Sequence, residues 1–160
     1  MAYRRFKRWL YRGNRPHILA RVLNRAWAVL HARGIAPGHL VTLEVPGRRT
    51  GRPISFPLVM TEIEGERYLV SMLGADAAWV ANVKVANGYA LLRHGRQEKV
   101  RLEELAVEKR APVLKEYLQR APGARPHIRV SRHAPIADFE AIAGQFPVFR
   151  VLGLSSVDSK

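Results

Sequence analysis

The chain has 160 residues, no cysteine, and a formal net charge of +14 from 27 Lys+Arg against 13 Asp+Glu. That length suits one domain, and an apolar content of 48% argues against wholesale disorder. The missing cysteines exclude a disulfide framework, a thiolate metal site and a cysteine nucleophile. No apolar run approaches the roughly 18 residues of a membrane-crossing helix, and no apolar core with a cleavage site follows the basic N-terminus, so no secretory signal is expected.

The charge is uneven. Residues 1–52 carry 12 Lys/Arg and one acid, Glu44, whereas the rest of the chain is nearly balanced. Such asymmetry points to an anionic partner: nucleic acid, an anionic membrane surface or a phosphorylated small molecule. Tyr3, Phe6, Trp9 and Leu10 fall at helical spacing among Arg4, Arg5, Lys7, Arg8 and Arg12, which predicts a short basic amphipathic helix. A second helix is predicted from about His17 to Arg33, with Leu19, Val22, Leu23, Ala26 and Leu30 as its apolar stripe and Gly34 as its stop.

The period then changes. Val41, Leu43 and Val45 alternate with polar residues, and Ile54, Phe56, Leu58 and Met60 alternate again after a Gly/Pro-rich turn. Glu64-Gly65 marks a hairpin into a strand over Arg67–Leu73, and a helix is predicted over Asp76–Val85. Strands follow at Tyr89–His94 and Gln97–Leu105, a helix at Ala111–Arg120, an irregular loop over 121–135, a helical piece at Asp138–Ala143 and a last strand at Phe146–Leu152. Successive strands joined by very short turns cannot be parallel neighbours, so the sheet is expected to be largely antiparallel, closing as a small barrel or twisted sheet with helices outside.

Two segments could carry chemistry. Gly47-Arg48-Arg49-Thr50-Gly51-Arg52 is a turn between strands; its glycines allow close backbone approach, and its guanidiniums suit phosphate or carboxylate oxygens. It is not a P-loop, because the spacing fails and no helix follows. The competing reading is a solvated hairpin turn. The second segment runs from Ser71 through Trp79 to Asn82, a strand leading through a small-residue loop into a helix. Trp79 and Asn82 lie three apart and share a face, either as a platform and hydrogen-bonding group for a ligand or as core and backbone support. The six histidines make no metal-ligand spacing, and no nucleophile triad or paired-carboxylate site is evident. An enzyme built this way would take its chemistry from a bound redox cofactor.

Gly47-Arg48-Arg49-Thr50-Gly51-Arg52-Pro53, the strand to Leu58, the hairpin at Gly65–Tyr68, Ser71 and Trp79-Val80-Ala81-Asn82 together resemble the deazaflavin-dependent nitroreductase family. Phe146-Pro147-Val148-Phe149-Arg150 is similar to that family's final strand. The resemblance implies an α+β fold: a split β-barrel of the FMN-binding type, with about six mainly antiparallel strands and with N-terminal and peripheral helices. It implies coenzyme F420 (8-hydroxy-5-deazaflavin) as cofactor, with FMN as the alternative, and hydride transfer from the reduced coenzyme to a quinone, nitroaromatic or other electron-poor acceptor. Carried over by position, Arg48, Arg49 and Thr50, with Gly51 in the same turn, would contact the coenzyme phosphate or glutamate tail. Ser71 and Met72 would lie in the phosphate or ring pocket, Trp79 and Asn82 beside the helix that completes the site, and Lys84 on the tail. No residue of the sequence stands out as a catalytic acid or base.

The expected organisation is a basic helical segment over 1–34, a cofactor-binding barrel over 35–154 and a frayed tail over 155–160. A cytoplasmic protein with a small-molecule acceptor is expected. Its Tyr3–Arg12 helix either contacts the anionic inner face of the membrane peripherally or packs on the barrel with a solvated basic face. A basic nucleic-acid-binding module and a non-catalytic flavin or deazaflavin binder are the alternatives, although no recognised nucleic-acid motif is present.

Overall fold

The computed structural model describes residues 39–154. The expected N-terminal helices and the tail 155–160 lie outside them. The described chain runs β1 (Leu40–Pro46), β2 (Pro53–Ile63), β3 (Glu66–Val70), α1 (Ala78–Val85), β4 (Tyr89–Arg93), β5 (Gln97–Glu104), α2 (Ala111–Arg120), α3 (Ile136–Ile142) and β6 (Val148–Gly153). Short 3₁₀ turns lead into α2 and β6 and follow α2. The strands form a closed barrel in the order β1-β2-β3-β6-β5-β4, every pairing antiparallel, with β1 against β4 completing the ring.

Alternation along the strands builds two cores. Leu43 faces Phe56 on β2 and Leu92 on β4, and Val100 on β5 faces Ala90. These side chains, with Val41, Val45, Leu69, Leu102, Phe149 and Val151, fill the barrel together with Trp79, Val80 and Val83 of α1. The opposite faces of β2, β3 and β6 carry Val59, Val70 and Val148. They pack beneath Leu114, Tyr117 and Leu118 of α2 and Phe139 of α3. A pleated strand sends successive side chains to opposite faces, so one sheet serves both cores.

Strands β1, β3 and β5 run in one direction. The 47–52 turn, the 71–77 loop, α1 and the entry to β6 therefore collect at one end of the barrel, and the 64–65 and 94–96 turns at the other. The C-terminus of α1 is set by positive φ at Asn87 (53°) and Gly88 (85°). The Gly88 amide closes on the Val83 carbonyl at 2.9 Å, the left-handed stop that glycine favours. A Cβ at residue 88 would overlap the Leu102 carbonyl, so only glycine lets α1 turn into β4 against β5.

The expected antiparallel barrel is the observed fold, and the differences are at element ends. β3 stops at Val70, not Leu73, because Ser71 turns the chain: its Oγ donates to the Gly74 carbonyl at 2.6 Å. α1 begins at Ala78, not Asp76, and has no side-chain cap. β2 extends from Pro53 to Ile63, and β6 starts at Val148 because the Phe146-Pro147 stretch is an entry loop. The last helix comes two residues earlier than expected, at Ile136–Ile142.

Candidate active site

The 47–52 turn is closed on itself. The Gly47 amide donates to the Arg52 carbonyl and the Gly51 amide to the Gly47 carbonyl, each at 2.8 Å. Gly51 has φ of 70°, which a side chain would strain. At Gly47 a Cβ would lie 2.9 Å from Ile54 Cδ1 and 3.3 Å from Thr50 Oγ1. Thr50 Oγ1 accepts from the Arg52 amide at 3.3 Å, so its hydroxyl shapes the turn. The whole run from Arg48 to Arg52 is exposed.

The three arginines of this turn differ. The Arg48 amide donates to Asn82 Oδ1 at 3.2 Å, and Arg48 Nη1 donates to the same oxygen at 3.0 Å. Asn82 itself is 1% exposed on α1. Arg49 and Arg52 make no side-chain hydrogen bond or ion pair among the described residues. Among the described residues, two guanidiniums therefore stand unpaired on a turn that is tied down through the third. That arrangement suits an oxyanion such as phosphate or carboxylate. Beside it, Ile54 is exposed, and Phe56 and Leu58, on the same inward face of β2, are half-buried. An apolar wall thus adjoins the cationic turn.

The 71–77 loop is held from the other side. The Ser71 amide donates to the Pro147 carbonyl at 2.9 Å. Arg110 holds the strand that Pro147 enters. Its buried guanidinium donates to the carbonyls of Leu105 (3.0 Å), Ala143 (3.2 Å) and Phe146 (3.4 Å), and to Glu104 Oε1 at 3.2 Å. The C-terminus of β5, the turn after α3 and the start of β6 are fixed around one side chain.

The sequence-derived site residues thus separate. Arg48, Arg49, Thr50, Gly51 and Asn82 come together. Trp79 is 6% exposed and packs in the barrel core, its ring 5.4 Å from that of Phe149 at 58°, so it is core and not an open platform. Ser71 is buried and shapes its own loop. Met72 is partly buried against the outer cluster of α2 and α3. Lys84 turns toward Glu104 at 3.9 Å, and no contact links it to the 47–52 turn. Arg110 and the Ile54–Phe56 wall were missed from sequence. An arginine just before an apolar helix start was the only available signal for Arg110. Among the described residues no group of three His, Asp or Glu side chains could hold a metal ion, and no helix is long and apolar enough to cross a membrane.

The site thus lies at the end of a closed six-stranded antiparallel barrel into which a helix packs beside a cationic turn. The family model for F420H2-dependent quinone reductases matches residues 10–138. The chain belongs to that family and is an F420H2-dependent oxidoreductase. Among solved structures, one described as a domain-swapped dimer is 20% identical with a TM-score of 0.50, over 81% of this chain and 96% of that one. It supports the fold. An F420-H2 dependent reductase is 23% identical over 71% of this chain and 93% of its own, TM-score 0.45. A nimC/nimA family protein from Clostridium acetobutylicum is 15% identical over 83% and 86%, TM-score 0.44. No curated protein gives a significant match.

Proposed function

We propose that the 47–52 turn binds the phosphate and acidic tail of coenzyme F420 through Arg49 and Arg52, and that the adjoining Ile54–Phe56 wall receives the deazaflavin ring. The unpaired state of Arg49 and Arg52 among the described residues carries this reading. The residues present fit the group: two free cations and a closed glycine turn for its anionic part, and an apolar strand face for its flat part.

When bound, the reduced coenzyme supplies two electrons as hydride. The chain's own residues bind and orient it. Arg49 and Arg52 neutralise the anionic tail, Gly47 and Gly51 allow the turn's shape, and Ile54 and Phe56 exclude water from one ring face. The acceptor is an electron-poor compound, with quinones first and nitroaromatics next, reduced by one hydride and one proton taken from solvent.

Purified protein titrated with oxidised F420 and with FMN side by side, followed by absorbance and intrinsic fluorescence, tests the assignment. F420 is expected to bind at micromolar concentration or tighter, and more tightly than FMN. Arg49→Ala and Arg52→Ala are each expected to weaken F420 about tenfold, the loss of one charge-assisted contact. Equal affinity for both compounds, or no loss in either variant, would overturn the reading.

A further inference from the structure

The turn is closed internally by its two backbone bonds. Those bonds fix its shape but not its pose relative to the rest of the barrel end. A turn between two strand tips can rock as a unit. Among the described residues, the side-chain tie from this turn to the rest of the barrel end is the buried amide oxygen of Asn82, which accepts from the main chain and from the side chain of Arg48. A carbonyl oxygen has two lone pairs, and both are used here, so this oxygen has no capacity left for a ligand.

We infer that Asn82 is a positioning residue, a clamp on α1 that sets the pose of the arginine turn and so aims Arg49 and Arg52 at the anionic part of the coenzyme without touching it. Three observations converge. Asn82 is 1% exposed, beneath the turn rather than on it. Arg48 and Arg49 are both exposed, but only the Arg48 guanidinium is tied to Asn82, so the side chain of Arg49, next to the clamped amide, is left to a ligand. α1 is itself anchored by Trp79, Val80 and Val83 in the barrel core, so the clamp ties the turn to a packed element. Pre-setting cations in this way lowers the ordering cost of binding an anion.

The inference rests on the proposed coenzyme site, but part of its test does not. The Arg48 amide lies on an exposed turn and should exchange quickly with solvent unless Asn82 holds it. Amide hydrogen exchange read by NMR is expected to be at least about tenfold faster at residue 48 in Asn82→Ala than in the parent, with core amides of β1 and β5 unchanged. Equal exchange in the two proteins overturns the inference whatever the coenzyme proves to be.

The second measurement is a double-mutant cycle on F420 affinity. Asn82→Ala and Arg49→Ala are each expected to raise Kd about tenfold, and the Arg49 effect is expected to shrink to under about threefold in the Asn82→Ala background. The loss should fall on Kd and on KM for F420H2 more than on kcat. Fully additive effects would mean that Asn82 acts independently of the turn, and would overturn the clamp. Failure of the parent to bind F420 would remove the proposed function while leaving the exchange result standing.

Discussion

Arg67 on β3 and Glu98 on β5 are joined by two parallel hydrogen bonds, each 2.8 Å, although β6 lies between their strands. The pair passes over Gly153. A Cβ there would sit 3.0 Å from Glu98 Oε1 and 3.8 Å from Arg67 Nη2. His94 adds a third member, its Nε2 3.1 Å from Glu98 Oε2. This network closes the end of the barrel opposite the cationic turn.

Gly153→Val should therefore act through the ion pair. The added methyls displace a carboxylate held in two-point geometry. We expect a loss of about 1 kcal/mol, typical of a partly exposed bidentate pair. Glu98→Gln should cost a similar amount, and the double variant should cost little more than either alone. Denaturant melts of the three variants check this; full additivity would mean that the glycine matters for another reason.

The same pair sets a pH dependence. The Arg67 hydrogen bonds, ahead of the opposing effect of burial, hold the Glu98 carboxyl near 2, below its ordinary 4.5. A depressed carboxyl stabilises the fold above its unfolded pKa and loses that contribution as pH falls toward the folded one. The parent should thus lose stability between about pH 4.5 and 2, where Glu98→Gln has a flatter profile. Chemical denaturation across that range should show the two curves converging toward pH 2; parallel curves would contradict the assignment.

Trp79 is the largest side chain that α1 drives into the barrel. Trp79→Ala should cost about 3–5 kcal/mol, through lost transfer energy and the cavity left behind. Trp79→Phe should cost distinctly less, since it keeps an aromatic ring near Phe149. Thermal melts rank the three proteins. A small loss in the alanine variant would mean that the indole is not core.

Arg110→Lys is expected to destabilise almost as much as Arg110→Ala, by about 2–4 kcal/mol. An ammonium group cannot reproduce a planar fork aimed at three carbonyls and a carboxylate, and the bonds to the Ala143 and Phe146 carbonyls are buried. Urea midpoints of the two variants decide it; full retention of stability in Arg110→Lys would show that charge alone suffices.

Much of the barrel was readable because apolar alternation reports directly on which strand face is buried. Val41, Leu43 and Val45 show this, and so do Val100 and Leu102. The failures have local causes. The apolar run continues past Val70, so Ser71 to Leu73 read as strand, but the Ser71 hydroxyl captures the Gly74 carbonyl and bends the chain. The three-residue spacing of Trp79 and Asn82 suggests one shared face, whereas Trp79 packs against Phe149 and Asn82 meets Arg48. Spacing does not report burial, and both side chains are buried. Arg49 and Arg52, unpaired among the described residues, could not be told from Arg48 by residue type, because the difference depends on a carbonyl 34 positions away. Arg67 and Glu98 could not be matched, because their neighbourhood is created by a strand that comes much later in the chain.

That late strand has a consequence for synthesis. β6 inserts between β3 and β5, both made long before it. Until residues 148–153 leave the ribosome, two strand edges stand unpaired and the ring cannot shut. Such edges recruit other strands, including those of neighbouring nascent chains. The step that completes this enzyme is thus also its window of greatest exposure to misassembly, and the speed with which β6 docks decides how long that window stays open.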